Sequence, residues 1–428
     1  REALAIQKRL AADFPARPEF RETLAHGLGN LGKVLLATGR LKEAEAAYRE
    51  ALAIQKRLAA DFPARPDYRL DLAKSHTNLG IVLEATNRLK EAEAAWREAL
   101  AIQKQLAAEF PTRPDLREQL ATCYNNLAKL LGATGRLKEA VTAGRDALAI
   151  RKQLAAEFPT RPDFRQDLVQ SLGNLGLMLG ATGDLKGAEA AFTDALKLQK
   201  QLVAEFPTRS DFRQELARCH YGLGLLLDDT GRPQEAEAAW REALAIQKQL
   251  AAEFPNNPDL RNNVAGTLVQ LAMLRWDFAA AKKYLTEAEP HHLAALKANP
   301  RHPTYRLYYH NNLFVLTQAH AGLHEQAEAV RTAHKLRDLG WDPLANAYDA
   351  ACALARCIRI VEKDETLTAD QKKAAVQFYG DEAMRMLTLA CAAGFKDAAR
   401  MKRDSRLAPL RPRDDFQKLL RELEARGQ

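Results

Sequence analysis

Long apolar runs are missing: no stretch of these 428 residues approaches the ~20 consecutive apolar residues that span a membrane. Valine and isoleucine are sparse, which argues against a large buried sheet. Cysteine is scarce as well. Cys123, Cys219, Cys352, Cys357 and Cys391 are odd in number and show no CxxC spacing, so neither a disulfide frame nor a cysteine metal site is expected. Reduced thiols point to a reducing compartment and a cytoplasmic location. No block of one charge occurs: the net +8 arises from interspersed signs, and half of it comes from Phe395–Gln428, with ten basic against six acidic residues. Such a mildly basic surface is not a nucleic-acid stripe, and no nucleic-acid partner is expected. The chain opens at Arg1 with neither Met nor a signal-peptide pattern, which reads as a fragment with at least one helix upstream and is compatible with a membrane tether there.

What is present is helix-forming: Ala, Leu, Glu, Lys, Arg and Gln dominate, and 47% hydrophobic residues exclude a disordered chain. The order is periodic. REALAIQKRL starts at Arg1 and again at Arg49, and related segments start at Arg97, Arg145, Thr193 and Arg241, each 48 residues on. Phe-Pro recurs in step at Phe14, Phe62, Phe110, Phe158, Phe206 and Phe254. Within each unit, Leu24, Leu28, Leu31 and Leu35 form one apolar stripe, and Leu41, Ala44, Tyr48, Ala51, Ile54, Leu58 and Phe62 form a second. Both have the 3.6-residue period, so two amphipathic helices, A and B, are predicted per unit. Neither can bury its stripe alone, and adjacent units must stack. Gly39, Asn87, Gly135, Gly183 and Gly231 fall between the helices, where a left-handed residue ends helix A. Phe-Pro ends helix B, and Pro18, Pro66, Pro114, Pro162 and Pro258 open the next helix A, with Ser210 in their place once.

These residues reach a family pattern. Leu31-Gly32, Leu79-Gly80, Leu127-Ala128, Leu175-Gly176 and Leu223-Gly224 resemble the Leu-Gly pair of the tetratricopeptide repeat (TPR). Ala44, Ala92, Ala140, Ala188 and Ala236 match the first small residue of its helix B, and Tyr48, Trp96, Phe192 and Trp240 its aromatic, from which Gly144 departs. Ala51, Ala99, Ala147, Ala195 and Ala243 match the next small position. The unit is 48 residues, against ~34 for a TPR, a difference read as two extra turns in each helix. Asn125–Ala140 is similar to the TPRs of kinesin light chains. The chain as a whole, through Phe395–Leu420, is similar to the TPR tails of bacterial serine/threonine protein kinases, whose catalytic domain would lie outside it.

The expected fold is therefore all-α, a TPR-like α-solenoid: a right-handed superhelix of about eight antiparallel helix pairs. Residues 1–17 read as a partial repeat with helix B only, 18–288 as six repeats with the last degenerate, 289–340 as a further degenerate repeat, and 341–428 as a helical pair and cap. Asn299-Pro300 echoes a unit boundary about three residues early, and His324-Glu325-Gln326-Ala327 echoes the start of helix B.

No catalytic constellation, cofactor motif or metal site is expected. Gly27-Leu28-Gly29-Asn30-Leu31-Gly32 spells GxGxxG but falls inside helix A, without the strand that a phosphate loop requires. His324–Glu328 resembles HExxH, but its second histidine is Glu328. The histidines between His291 and His334 read as surface or capping residues, and Gly322 falls where two helices should turn. Boundary arginines such as Arg69 and Arg117 are expected to pair with nearby acids rather than to bind phosphate. The resemblance implies that helix A lines a concave groove, and that Asn30, Asn78, Asn126 and Asn174, just before the Leu-Gly pair, contact the backbone of a bound peptide. An amide can both donate and accept, as a peptide group requires. Recent duplication of the repeat would place the same asparagines there without any ligand. Lys33, Lys74, Thr77, Asn125, Lys129, Gln170, Arg218 and Tyr221 complete the candidate groove and do not reproduce a carboxylate clamp. The function expected is a protein- or peptide-binding scaffold, able to self-associate; the alternative is a regulatory or oligomerising kinase tail.

Overall fold

A computed structural model describes residues 2–274 and 277–426. The described residues form α-helices and one 3-10 segment, with no strand. The chain divides into two compact units, one ending at Ala239 and the other beginning at Trp240. In the first, α1 (Glu2–Asp13) precedes the hairpins α2/α3 (Pro18–Ala37, Leu41–Asp61), α4/α5 (Pro66–Ala85, Leu89–Glu109), α6/α7 (Pro114–Ala133, Leu137–Glu157) and α8/α9 (Pro162–Thr182, Leu185–Glu205). After them comes α10 (Ser210–Asp229), and the division falls within α11 (Pro233–Glu253). The second unit holds α12/α13 (Pro258–Met273, Phe278–Ala298), α14/α15 (Pro303–Gly322, Gln326–Arg337) and α16/α17 (Pro343–Lys363, Ala369–Ala392). It ends with α18 (Ala398–Arg403), the 3-10 segment Ser405–Leu410 and α19 (Asp414–Arg426). The fold is an all-α, TPR-like solenoid. In the opening hairpin the helices are 20 and 21 residues long, so the added length of each unit lies in helix and not in loops. The division expected at 288/289 falls inside α13.

The turns follow from backbone chemistry. Gly39 and Asn87 have φ of 73° and 59°, and each N–H reaches back to close the helix end: Gly39 to Leu36 O, Asn87 to Glu84 O. The next residues, Arg40 and Arg88, donate to Leu35 O and Leu83 O, both at 2.8 Å. This is the Schellman closure, and it needs a residue that tolerates the left-handed region. In the second unit the corresponding residue is His324, with φ of 62°, and Glu325 N donates to His320 O. The turn expected at Gly322 is therefore two residues later, and the helix-B echo at His324 shifts with it. Gly322 is small for another reason: the Phe278 ring occupies the place where its Cβ would stand.

The Leu-Gly pair has the same kind of cause. A Cβ on Gly32 would lie 2.4 Å from the Tyr48 ring, one on Gly80 2.2 Å from Trp96, and one on Gly176 2.9 Å from Phe192. Each aromatic is seated on a bare stretch of helix A in its own hairpin, and all three are 2% exposed. The unit that departs from the motif departs twice. Gly144 replaces the aromatic, Ala128 replaces the glycine, and Leu175 and Met178 of the next hairpin close on Gly144. Ala272 and Leu285 repeat that pairing in the second unit.

The boundaries between hairpins are tied by charge. Arg69, Arg117 and Arg165 each hold the acid 40 residues on, Glu109, Glu157 and Glu205, through two guanidinium nitrogens. Arg88 joins Glu91 to Glu45, and Arg136 joins Glu139 to Glu93. Arg69, Arg117 and Arg165 thus carry their own counter-charges, in line with ion pairing at the unit boundaries.

Two glycine substitutions should separate packing from helix propensity. Gly80→Ala should cost about 1–3 kcal/mol by overpacking against Trp96. Gly29→Ala, at a helical position with nothing within 4 Å of the added Cβ, should stabilise by about 0.5–1 kcal/mol. Chemical denaturation of both variants checks this, and equal effects would show that Trp96 does not select Gly80.

Candidate functional site

The candidate residues all lie on the A helices of the first unit. α2 and α4 bring Asn30, Lys33, Lys74 and Asn78 around one polar cavity of about 300 Å³, shared with His26, Asp71, Ser75 and the buried Gln55. Lys74 is held by Asp71, three residues earlier, whose other oxygen pairs with His26 Nε2 at 2.7 Å. Glu22, His26 and Asp71 have ligand atoms within 4.8 Å of one another, the one such group among the described residues. With Asp71 engaged by Lys74 and His26, this group reads as a hydrogen-bond network.

The asparagines do not behave alike. Asn30 is exposed, Asn78 and Asn126 are half-buried, and none of the three makes a side-chain hydrogen bond within the described residues. The Oδ1 of Asn174 accepts a long bond, 3.4 Å, from Arg218. Asn125 sits differently from the groove position expected for it. It is 5% exposed, and its Nδ2 donates to Ser171 Oγ at 2.9 Å, joining α6 to α8. Its neighbour Asn126 faces outward because one residue turns the helix by about 100°.

Further along, Arg218 clasps Glu215, three residues earlier, and its guanidinium lies over Gly173, 3.4 Å from where a Cβ would be. Lys129 is exposed, yet the protein around it and the charge of Arg218 hold its amine below the ordinary lysine range. Gln170 is half-buried and Tyr221 likewise. Thr77 is turned to its own helix, donating to Ala73 O.

Sequence reasoning passed over one participant. The Gln of this register is buried at Gln55, Gln103, Gln199 and Gln247, and in the third hairpin Arg151 takes its place. Arg151 is 5% exposed and donates to Asp167 O, Ser171 Oγ and Thr122 Oγ1, with Glu118 at 3.5 Å. The break in the repeat was visible as IRK among copies of IQK. The reach of the side chain was not. Cys123 and Cys219 are buried free thiols, and burial pushes them up to about 11 and about 12, so both are unreactive packing residues. Among the histidines, His292 is fully buried and His320 nearly so, contrary to a surface role, because α13 and α14 pack over them.

The profile described as Tetratricopeptide repeat matches residues 24–64, 72–110, 120–159, 168–207 and 217–259. The chain belongs to the tetratricopeptide repeat family. Comparison with curated proteins found no match. Among solved structures, the apo form of RapI shares 14% identity and a TM-score of 0.50, covering 94% of this chain and 99% of that one. BtubC (BKLC) from P. vanneervenii shares 22% identity over 61% of this chain and 94% of that one, TM-score 0.46. A putative kinesin light chain from Podosopora anserina with nearly identical TPR-like repeats shares 23% over 52% and 94%, TM-score 0.38. At these identities the likeness concerns the fold.

The TPR A helices also carry a pH-sensitive acid. Asp71 and Glu215 have a cation three residues on, whereas Asp167 has Gln170. Burial pushes the Asp167 carboxyl up to about 6, with Arg151 opposing the shift. Because the native state holds this proton more tightly than the unfolded chain, the strain is absent at acid pH and grows as pH rises to about 6. Asp167→Asn should therefore be more stable than the parent at pH 7, with the difference in melting temperature shrinking toward pH 4. A pH-independent difference would show that Asp167 is not desolvated.

Proposed function

We propose that the chain binds an extended segment of another protein along the A-helix face of its first unit, as a scaffold and not as a catalyst. The observation that carries this reading is the unused hydrogen-bonding capacity of Asn30, Asn78 and Asn126, recurring once per hairpin beside Lys33, Lys74 and Lys129. A helix interior disfavours asparagine. An amide that neither caps nor cross-links is suited to bond a peptide backbone that passes from hairpin to hairpin. Asn125, by contrast, already has its partner in Ser171 and acts in packing. No described helix is long and apolar enough to cross a membrane, and five free thiols suit a reducing, cytoplasmic setting. The narrower role, as the tail of a serine/threonine kinase, rests on Phe395–Leu420 alone and is decided by the coding sequence upstream of Arg1.

Peptides selected from a displayed random library against the full chain provide the ligand for a test. Asn78→Ala combined with Asn126→Ala removes two backbone bonds of about 0.5–1.5 kcal/mol each. Affinity should fall about tenfold, with no loss of melting temperature, because neither amide is bonded within the described residues. Undiminished affinity in calorimetry would remove the asparagine ladder from the binding face and favour duplication as its origin.

A further inference from the structure

Many arginines of the first unit are held by carboxylates of the fold. Arg88, Arg136 and Arg232 each hold two carboxylates, and Arg69, Arg117 and Arg165 hold one each. The second unit contains a pocket at which two cations, Arg359 and Lys363, lack such a partner among the described residues. Between the end of α14 and the last turns of α16 lies a cavity of about 730 Å³, lined by Arg356, Arg359 and Lys363 on one side and by Phe278, Ile360 and Gly322 on the other. The three cations are on one face of α16, at steps of three and four residues. Among the described residues, neither Arg359 nor Lys363 pairs with a carboxylate. Arg359 makes one long bond, 3.4 Å, to Ser405 O, and Lys363 makes none among the described residues. Arg356 lies over the Phe314 ring, 5.9 Å from its centroid.

The single acid in the lining is already engaged. Asp364 accepts from Thr366 N and Oγ1 at 2.9 and 2.6 Å, and its second oxygen pairs with His324 Nε2 at 2.9 Å. These bonds hold its carboxyl below the usual range, so it stays ionised, but turned to its own loop and to His324. His324 is placed for this by its left-handed backbone at the α14/α15 turn. The apolar wall is equally built: Phe278 is seated on the bare backbone of Gly322, where a Cβ would lie 2.2 Å from the ring. Uncompensated positive charge at the rim, an aromatic and an aliphatic wall, and a volume within the ~300–1,000 Å³ of small-ligand sites occur together here.

We infer that this pocket is a binding site for a small organic anion, a carboxylate, sulfonate or phosphate carried on an apolar or aromatic body. The anionic group sits against Arg359 and Lys363, where charge-assisted hydrogen bonds are strongest. The body lies against Phe278 and Ile360. The site is separate from the asparagine face of the first unit and does not depend on the peptide-binding reading.

The test uses the full chain and a fluorescent probe of this chemistry, 8-anilino-1-naphthalenesulfonate. The probe should titrate to one saturable site and be displaced by phenyl phosphate at concentrations about tenfold below those needed with inorganic phosphate. Arg359→Glu combined with Lys363→Glu, both at exposed positions, should weaken probe binding more than tenfold with an unchanged melting temperature. Lys418→Glu, on α19 and outside the pocket, should leave it intact. An unaltered titration in the double variant, loss of binding in Lys418→Glu, or equal displacement by phosphate and phenyl phosphate would each overturn the assignment.

Discussion

A helix-B aromatic set against the bare backbone of a helix-A glycine is the contact on which the hairpins that keep the motif depend. It brings the two helices close enough for their alanines to pack, and leaves the outer stripes to be buried by the neighbouring hairpins. The contact is an interlocked pair. Where the aromatic is missing, at Gly144 and Leu285, the glycine is replaced by alanine, Ala128 and Ala272, and the space is filled by another route. A repeat that varies at one member of the pair must vary at the other, because a close-packed interior tolerates neither a void nor an extra methyl group.

Electrostatics follow the same modular plan and then depart from it. Copies of an arginine reach copies of an acid 40 residues on, and the turn arginines bridge two acids from successive hairpins. Exposed pairs of this kind contribute little to stability individually. Their consequence is that the repeated arginines at these positions carry their own counter-charges. Against that background, the positions where charge or hydrogen-bonding capacity is left over stand out: the amides of Asn30, Asn78 and Asn126 on the first unit, and Arg359 and Lys363 on the second.

The third hairpin is where the copies differ most. Arg151 replaces a buried glutamine, Gly144 an aromatic and Ala128 a glycine, and Asp167 of the following helix is left without a cation three residues on. A buried guanidinium bonded to Asp167 O, Ser171 and Thr122, beside Glu118, makes this part of the array electrostatically distinct. A ligand lying along the A helices would meet a different field here than at the flanking hairpins.

The hairpins, their register and their turns were legible in the residues, because the 48-residue recurrence and the 3.6-residue stripes are local properties and Gly39 or Asn87 states its own backbone conformation. The degenerate second unit was less so: without the repeat, the turn was assigned to Gly322 when His324 carries it, and the smallness of Gly322 answers to Phe278, 44 residues away. Four groove candidates, Asn30, Lys33, Lys74 and Asn78, converge on one cavity, whereas Asn125 turned inward to Ser171. The sequence by itself determined which segments are helical and that they pair. Only the tertiary structure decided which of two adjacent asparagines is spent on packing and which cations keep no partner, because both depend on side chains that meet across separate helices.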